Sequence, residues 1–266
     1  AGRSGLGGAG IQTAVLAFGG IDGGAAVAVN ELYNGSSWTE VGDLNTARYI
    51  LGGTGTSTAA LACGGVGGLA LTEKWDGSSW TESGDLNTSR SALGSAGTTT
   101  AGIAFAGNAP GGNTVNAETF DGSSWTEVGN VNSARDNVSD AGIQTAALLI
   151  GGTTPPGDSV KNLVEQWNGT AWTEIAEINT ARRSLDAGGT TGSALAFGGA
   201  ANGALTESWN GSAWTEVADL SAARGALGGG SQGSSNSLNI AFGGDPDVVS
   251  TEEWSFAHAV KTIDVS

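Results

Sequence analysis

One stretch constrains this chain more than any other: Trp75-Asp-Gly-Ser-Ser-Trp80-Thr-Glu, because it recurs. Asp76-Gly77 supplies the positive φ that a tight hairpin loop requires, and the two Trp residues are large apolar groups on the strands it joins. Near-copies stand at Tyr33-Asn-Gly-Ser-Ser-Trp38, Phe120-Asp-Gly-Ser-Ser-Trp125, Trp167-Asn-Gly-Thr-Ala-Trp172 and Trp209-Asn-Gly-Ser-Ala-Trp214. A sixth, reduced copy keeps Glu252-Glu253-Trp254 but has Ala259 where the second Trp would fall. The chain is an array of one supersecondary unit.

A second landmark fixes the register. An apolar residue followed by a glycine pair appears at Phe18, Cys63, Phe105 (as Phe-Ala-Gly), Ile150, Phe197 and Phe242, at spacings of 45, 42, 45, 47 and 45 residues. Several short strands in a period of 40–50 residues are the signature of a propeller blade. Each unit reads as four strands: a small-residue segment after an Arg, an apolar run into the diglycine, a strand ending at the first aromatic, and the Trp-Thr-Glu strand. Small residues suit the innermost strand, where blades converge on an axis. The six blades are expected at roughly 1–46, 47–88, 89–133, 134–180, 181–222 and 223–266.

The internal distances locate the variation. From the Glu of the third strand to the next Trp is 7 residues in all five complete copies, and from that Trp to the next Arg is 10. Only the interval from diglycine to third strand varies freely, at 13, 10, 13, 15, 10 and 10 residues to the Glu. Insertions therefore sit in one loop class, which in a four-stranded blade emerges at one end of the ring. The long loops are Ile21–Asn30, Asn108–Ala117 and Thr153–Val164.

A diglycine after an apolar strand, then an aromatic, then Trp five residues on, repeated along essentially the whole chain, resembles the kelch repeat. The unit wording, Thr-Ala-Ala-Leu-Ala and Gly-Ser-Ser-Trp-Thr-Glu, is similar to kelch-like arrays in proteins of marine bacteria and their phages. The resemblance implies an all-β, six-bladed propeller of four antiparallel strands per blade. It also implies that both aromatic slots, including Trp38, Trp80, Trp125, Trp172 and Trp214, are blade core rather than sugar platforms. Many kelch propellers close by sharing a strand between the termini. Here the array starts at Arg3 and ends after a sixth fourth strand, so closure is expected to rest on packing between the first and sixth blades, helped by a neighbouring molecule, and to fray there first.

Net charge is −16 with 26 acidic residues against 10 basic ones, which speaks against nucleic acid and anionic membranes as partners. No apolar run is long enough to span a bilayer as a helix. Six of the basic residues form one column, Arg3, Arg48, Arg90, Arg135, Arg182 and Arg224, and many acids fall in two columns, one through Glu31, Glu73 and Glu118 and one through Glu40, Glu82 and Glu127. Ion pairs between blades or on the surface, plus a solvated acidic shell, are the expectation. The single Cys63 occupies a Phe/Ile slot and reads as core.

Catalytic groups are scarce. One His, one Cys and two Tyr cannot build the Tyr–His copper site of galactose oxidase, and His258 lies near the end of the chain without a nucleophile elbow. Non-repeated polar residues in the variable loops are the candidate ligand contacts: Asp22, Asn108, Asn113, Asp158, Asn202, Asp245 and Asp247. Asp beside Pro or Gly is first a turn former. No metal site or cofactor is expected; calcium is the one cation that such loops suit, although no EF-hand spacing is present. Asn34, Asn168 and Asn210 match the glycosylation sequon, but Asp in two sister copies favours a turn role. The expectation is a non-enzymatic interaction or structural module on a virion (tail fibre or capsid decoration) or cell surface, binding a protein partner or neighbouring subunit. A glycan-binding lectin is the alternative, and an enzyme with channel-mouth carboxylates the second.

Overall fold

The computed structural model describes residues 2–66, 70–200, 203–230, 238–246 and 249–254, and the backbone of a last strand, Val260–Ile263. Ala259, His258, the Ser231–Ser237 insertion, Asn202 and Asp247 lie outside the described residues. The chain forms six four-stranded antiparallel sheets and no helix among the described residues. The inner strands are Gly7–Ile11, Gly52–Thr56, Gly94–Thr98, Ser139–Ile143, Asp186–Thr190 and Gly228–Gly230. Each pairs with the apolar second strand of its own blade, which pairs with the third, and the third with the fourth. The fourth strand of the last blade follows its third strand in the chain, so no strand is shared between the termini.

Glycine sets how closely the blades converge. A Cβ on Gly53 would lie 2.8 Å from the Gly8 nitrogen of the preceding blade, and one on Gly52 would lie 2.8 Å from the Ser95 hydroxyl of the next. Real Cβ contacts do not reach such distances, so bulk in this column would push the blades apart. The diglycines perform a second task. The second glycine of each pair, Gly20, Gly65, Gly107, Gly152, Gly199 and Gly244, has positive φ between 96° and 131°. Its N–H donates to the carbonyl of the next blade's repeated Arg, from Gly20 to Arg48 around to Gly244 to Arg3, at 2.7–3.0 Å. Six clasps thus run around the propeller, and the last joins blade six to blade one.

The aromatic slots are core. Trp80, Trp125, Trp172 and Trp214 are buried, and each lies against the first aromatic of its own hairpin at 5.0–5.6 Å. Phe18 meets Trp80 of the next blade edge-on at 4.9 Å, and Phe105 meets Trp172 in the same way at 4.8 Å. Such contacts add to plain area burial. Trp38 alone is half-buried, at the seam where it meets Phe242 and donates its indole N–H to Thr251.

The Arg and Glu columns pair, but not where expected. Arg90 and Glu118 meet at 2.8 Å with both side chains fully buried, and the other five pairs repeat the contact within their own blades at 2.6–2.9 Å. The pairs are neither between blades nor on the surface. The constant spacings tie each Arg to a Glu of its own sheet, and the guanidinium also donates to carbonyls there, as Arg48 does to Leu71 at 2.7 Å. Burial pulls the guanidinium of Arg48, Arg90, Arg135, Arg182 and Arg224 below its ordinary range, and the adjacent Glu pushes it back. The other Glu oxygen reaches across the blade boundary: Asn45 donates to Glu73, Asn87 to Glu118, Asn132 to Glu165 and Asn179 to Glu207, at 2.8 Å each. A buried carboxylate therefore ties its own Arg to the preceding connector. The second Glu column, such as Glu82 and Glu127, stands exposed on the outer strands, where charge protects an unpaired edge. Burial pushes the Cys63 thiol up to about 12, which makes it inert core.

Candidate binding face and central channel

The variable loops all leave one end of the propeller. In five blades the residue after the diglycine pairs with the segment leading into the inner strand: Ser4 with Ile21, Ser91 with Asn108, Asp136 with Thr153, Arg183 with Ala200 and Gly225 with Asp245. Every such loop therefore sits where the chain descends into the channel wall. The three long loops form small hairpins, Ile21–Asp22 with Ala25–Ala26, Asn108–Ala109 with Gly112–Asn113, and Thr153–Thr154 with Ser159–Val160. They stand on blades one, three and four.

The candidate ligand residues are spread over this face. Asn108 donates to Asn113 at 3.0 Å, and Asn113 donates across the boundary to Asp136 and to the Thr153 carbonyl, both at 3.1 Å. Asn108 and Asn113 are the sequence candidates that meet among the described residues, and with Asp136 they stitch blades three and four. Asp136, which also accepts a hydrogen bond from the Thr153 hydroxyl, had no sequence signal beyond its place after the repeated Arg. Asp22 and Asp158 are exposed on separate hairpins. Asp158 takes a left-handed turn conformation, φ 51°, as a turn-forming Asp does. Asp245 is exposed and pairs through its backbone with Gly225. Among the described residues no three His, Cys, Asp or Glu side chains converge.

The same end holds a feature that sequence reasoning missed. Two residues after each Arg column position, Gly5, Ile50, Ala92, Asn137, Ser184 and Ala226 all have φ between 49° and 61°. Each N–H donates to the carbonyl of its counterpart in the preceding blade: Ile50 to Gly5, Ala92 to Ile50, Asn137 to Ala92, Ser184 to Asn137, Ala226 to Ser184 and Gly5 to Ala226, at 2.6–3.0 Å. The six bonds close a circle around the axis. Left-handed geometry costs a non-glycine residue about 1–2 kcal/mol, and five blades accept that cost to pair edge groups that would otherwise face the channel.

Beneath this ring lies a cavity of about 120 Å³, lined by all six blades. Its charged lining residues are Asp140 and Asp186, at positions where most blades carry glycine or serine. They face different neighbours. Asp140 accepts the Ser95 N–H of blade three at 3.0 Å, whereas Asp186 accepts its neighbour Ala187 N–H at 2.7 Å and reaches Gly229 of blade six. Burial pushes Asp186 up to about 7, and the N–H groups of Ala187 and Gly229 hold it from rising further. At neutral pH this carboxyl can hold or release a proton.

No family model matches the chain, and no curated protein matches its sequence. Among solved structures 253 chains match it. The structure of YjhT aligns with a TM-score of 0.77 over 99% of this chain and 98% of its own, at 13% sequence identity. At that identity the likeness is one of fold. The chain is a six-bladed β-propeller.

Proposed function

We propose that this propeller is a non-enzymatic interaction module of kelch type that engages a partner through its variable-loop face. The observation that carries the reading is the placement of all three extra hairpins at one end, on a frame whose other parts repeat from blade to blade. Repeated acids, Arg and Trp are consumed in holding that frame, which leaves the loops as the part free to differ. A protein partner, as a neighbouring subunit of a virion or cell surface, is the first reading, and cell-surface glycans are the alternative ligand. The test is a glycan array, with and without calcium, followed by a variant whose Thr153–Val164 loop is shortened to the length of blade five. Saturable glycan binding lost in the variant supports the lectin form. Silence in both conditions directs the search to a protein partner, and binding that survives shortening of all three hairpins contradicts the reading.

A second reading rests on Asp186. A carboxyl with a shifted titration inside a channel cavity is what an acid–base site or a small-ligand site would show. Against catalysis, Asp140 and Asp186 each give an oxygen to an inner-strand N–H, from Ser95 and Ala187, and face different blade boundaries. Loss of a small-molecule affinity or turnover in both Asp140→Asn and Asp186→Asn, with the fold retained, would favour this reading.

A further inference from the structure

The hairpins on the face opposite the variable loops carry a chemistry that the binding role does not use. Three of them contain Asn-Gly: Asn34-Gly35, Asn168-Gly169 and Asn210-Gly211. All three Asn residues are exposed. In each, the side-chain carbonyl Oδ1 accepts two backbone N–H groups, from Ser36 and Ser37 at 3.0 Å each, and from Thr170 and Ala171 or Ser212 and Ala213 at 2.9 Å each. At Asn34 and Asn210 a hydroxyl adds a third donor, Ser36 at 2.9 Å and Ser212 at 2.8 Å, and at Asn34 the Ser37 hydroxyl lies farther off at 3.5 Å. Among the described residues the amides of Gly35, Gly169 and Gly211 have no hydrogen-bond acceptor, and glycine offers no side chain to screen them.

This arrangement has the parts of an acyl-transfer centre: an unengaged amide nitrogen next to a carbonyl whose oxygen is already surrounded by donors. Donors placed where negative charge develops lower the barrier to a tetrahedral intermediate. We propose that the Asn34 and Asn210 turns are built-in deamidation sites, with Asn168 slower. The Gly35 nitrogen loses its proton to solvent base and bonds to Cγ of Asn34; the Cγ–Nδ2 bond breaks and ammonia leaves. Water then opens the resulting succinimide at either carbonyl, giving Asp or isoaspartate. Each event adds one negative charge to a chain already at −16.

The fold tolerates the Asp product because two sister turns already contain it. Asp76 accepts Ser78 N–H at 2.8 Å and Ser79 N–H at 2.9 Å, and Asp121 accepts Ser123 and Ser124 at 2.9 Å each. Backbone and hydroxyl donors hold Asp121 down at about 2 and shift Asp76 in the same direction, so the turn favours negative charge at this position. Isoaspartate, with an extra backbone methylene, has no counterpart among the blades.

The test follows mass gain at each Asn by peptide mass spectrometry, in the folded protein at mildly alkaline pH and in the same chain unfolded in urea. Folded Asn34 and Asn210 are expected to convert faster than in the unfolded chain and faster than Asn168. Ser36→Ala should slow Asn34 by about tenfold, less than the ~10²–10³ typical of an enclosed oxyanion donor, and leave Asn210 unchanged. Slower or equal conversion in the folded state would overturn the proposal, since the turn would then protect rather than activate. An unchanged Asn34 rate in Ser36→Ala would overturn it too.

Discussion

Replacing Asp186 by Asn gives a sharp test of how the channel is held. In the unfolded chain this carboxyl titrates near its ordinary value of 3.8, and in the folded protein burial pushes it to about 7. Between those values the folded state keeps a proton that the unfolded chain has released, so this residue's contribution to stability falls as pH rises through that window. Above it the folded protein holds a buried carboxylate. A shift of about three pH units corresponds to at most ~4 kcal/mol. Asp186 is half-buried with one side open to the channel, so water trims the cost to about 1–3 kcal/mol. Asn keeps the Oδ1 acceptor for the Ala187 N–H at 2.7 Å and carries no charge. Urea unfolding at pH 4, 6 and 8 should show Asp186→Asn near wild type at pH 4 and more stable by about 1–3 kcal/mol at pH 8. A difference that does not change with pH, or a variant less stable at pH 8, would refute the burial argument.

Other substitutions test the frame. Glu118→Gln leaves Arg90 buried without its countercharge and should cost about 3–5 kcal/mol; Glu31→Gln should cost less, because the Glu31 side chain is 20% exposed, and chemical denaturation reads both. Gly8→Ala would set a Cβ on the Gly229 carbonyl oxygen of blade six, so a loss of about 1–3 kcal/mol is expected from overpacking, seen as a lower melting temperature. Ala92→Gly relieves a left-handed residue, φ 52°, and should stabilise the protein by up to about 1 kcal/mol once glycine's greater entropy loss is counted.

The architecture was legible because six copies of one pattern supply their own alignment. Trp75 and Trp80 announced a hairpin, the landmarks Phe18 to Phe242 its period, and the loop Thr153–Val164 the variable end. What failed was the partner of each charge. A constant spacing from Arg90 to Glu118 reports that both recur, not whether they meet within a blade or across a boundary. The ring at Ile50, Ala92 and Asn137 left no residue signature, since only Gly5 among its six members carries the glycine that positive φ would suggest. Asp140 and Asp186 did have one: they interrupt a column of Gly7, Gly52 and Gly94 and its neighbour. Reading the inner strands down the columns, rather than along the chain, would have found them. The loop candidates Asp22, Asp158 and Asp245 are exceptions to the repeat, and an exception on a loop tip has no need to converge with another.

Closure without a shared strand is the claim on which the rest stands, because it keeps the loop face in one geometry. At the seam Gly5 donates to Ala226 at 2.7 Å, Gly244 to Arg3 at 2.9 Å, and the Tyr33 hydroxyl to Glu253 at 3.2 Å. Trp38, half-buried where its four counterparts are buried, makes this the loosest boundary. Amide hydrogen exchange of the six ring residues measures closure directly. The Gly5 amide is expected to be protected well above an unstructured amide and still to be the first of the six to exchange. Exchange of Gly5 at the rate of an open chain, with the other five protected, would show that the ring does not close.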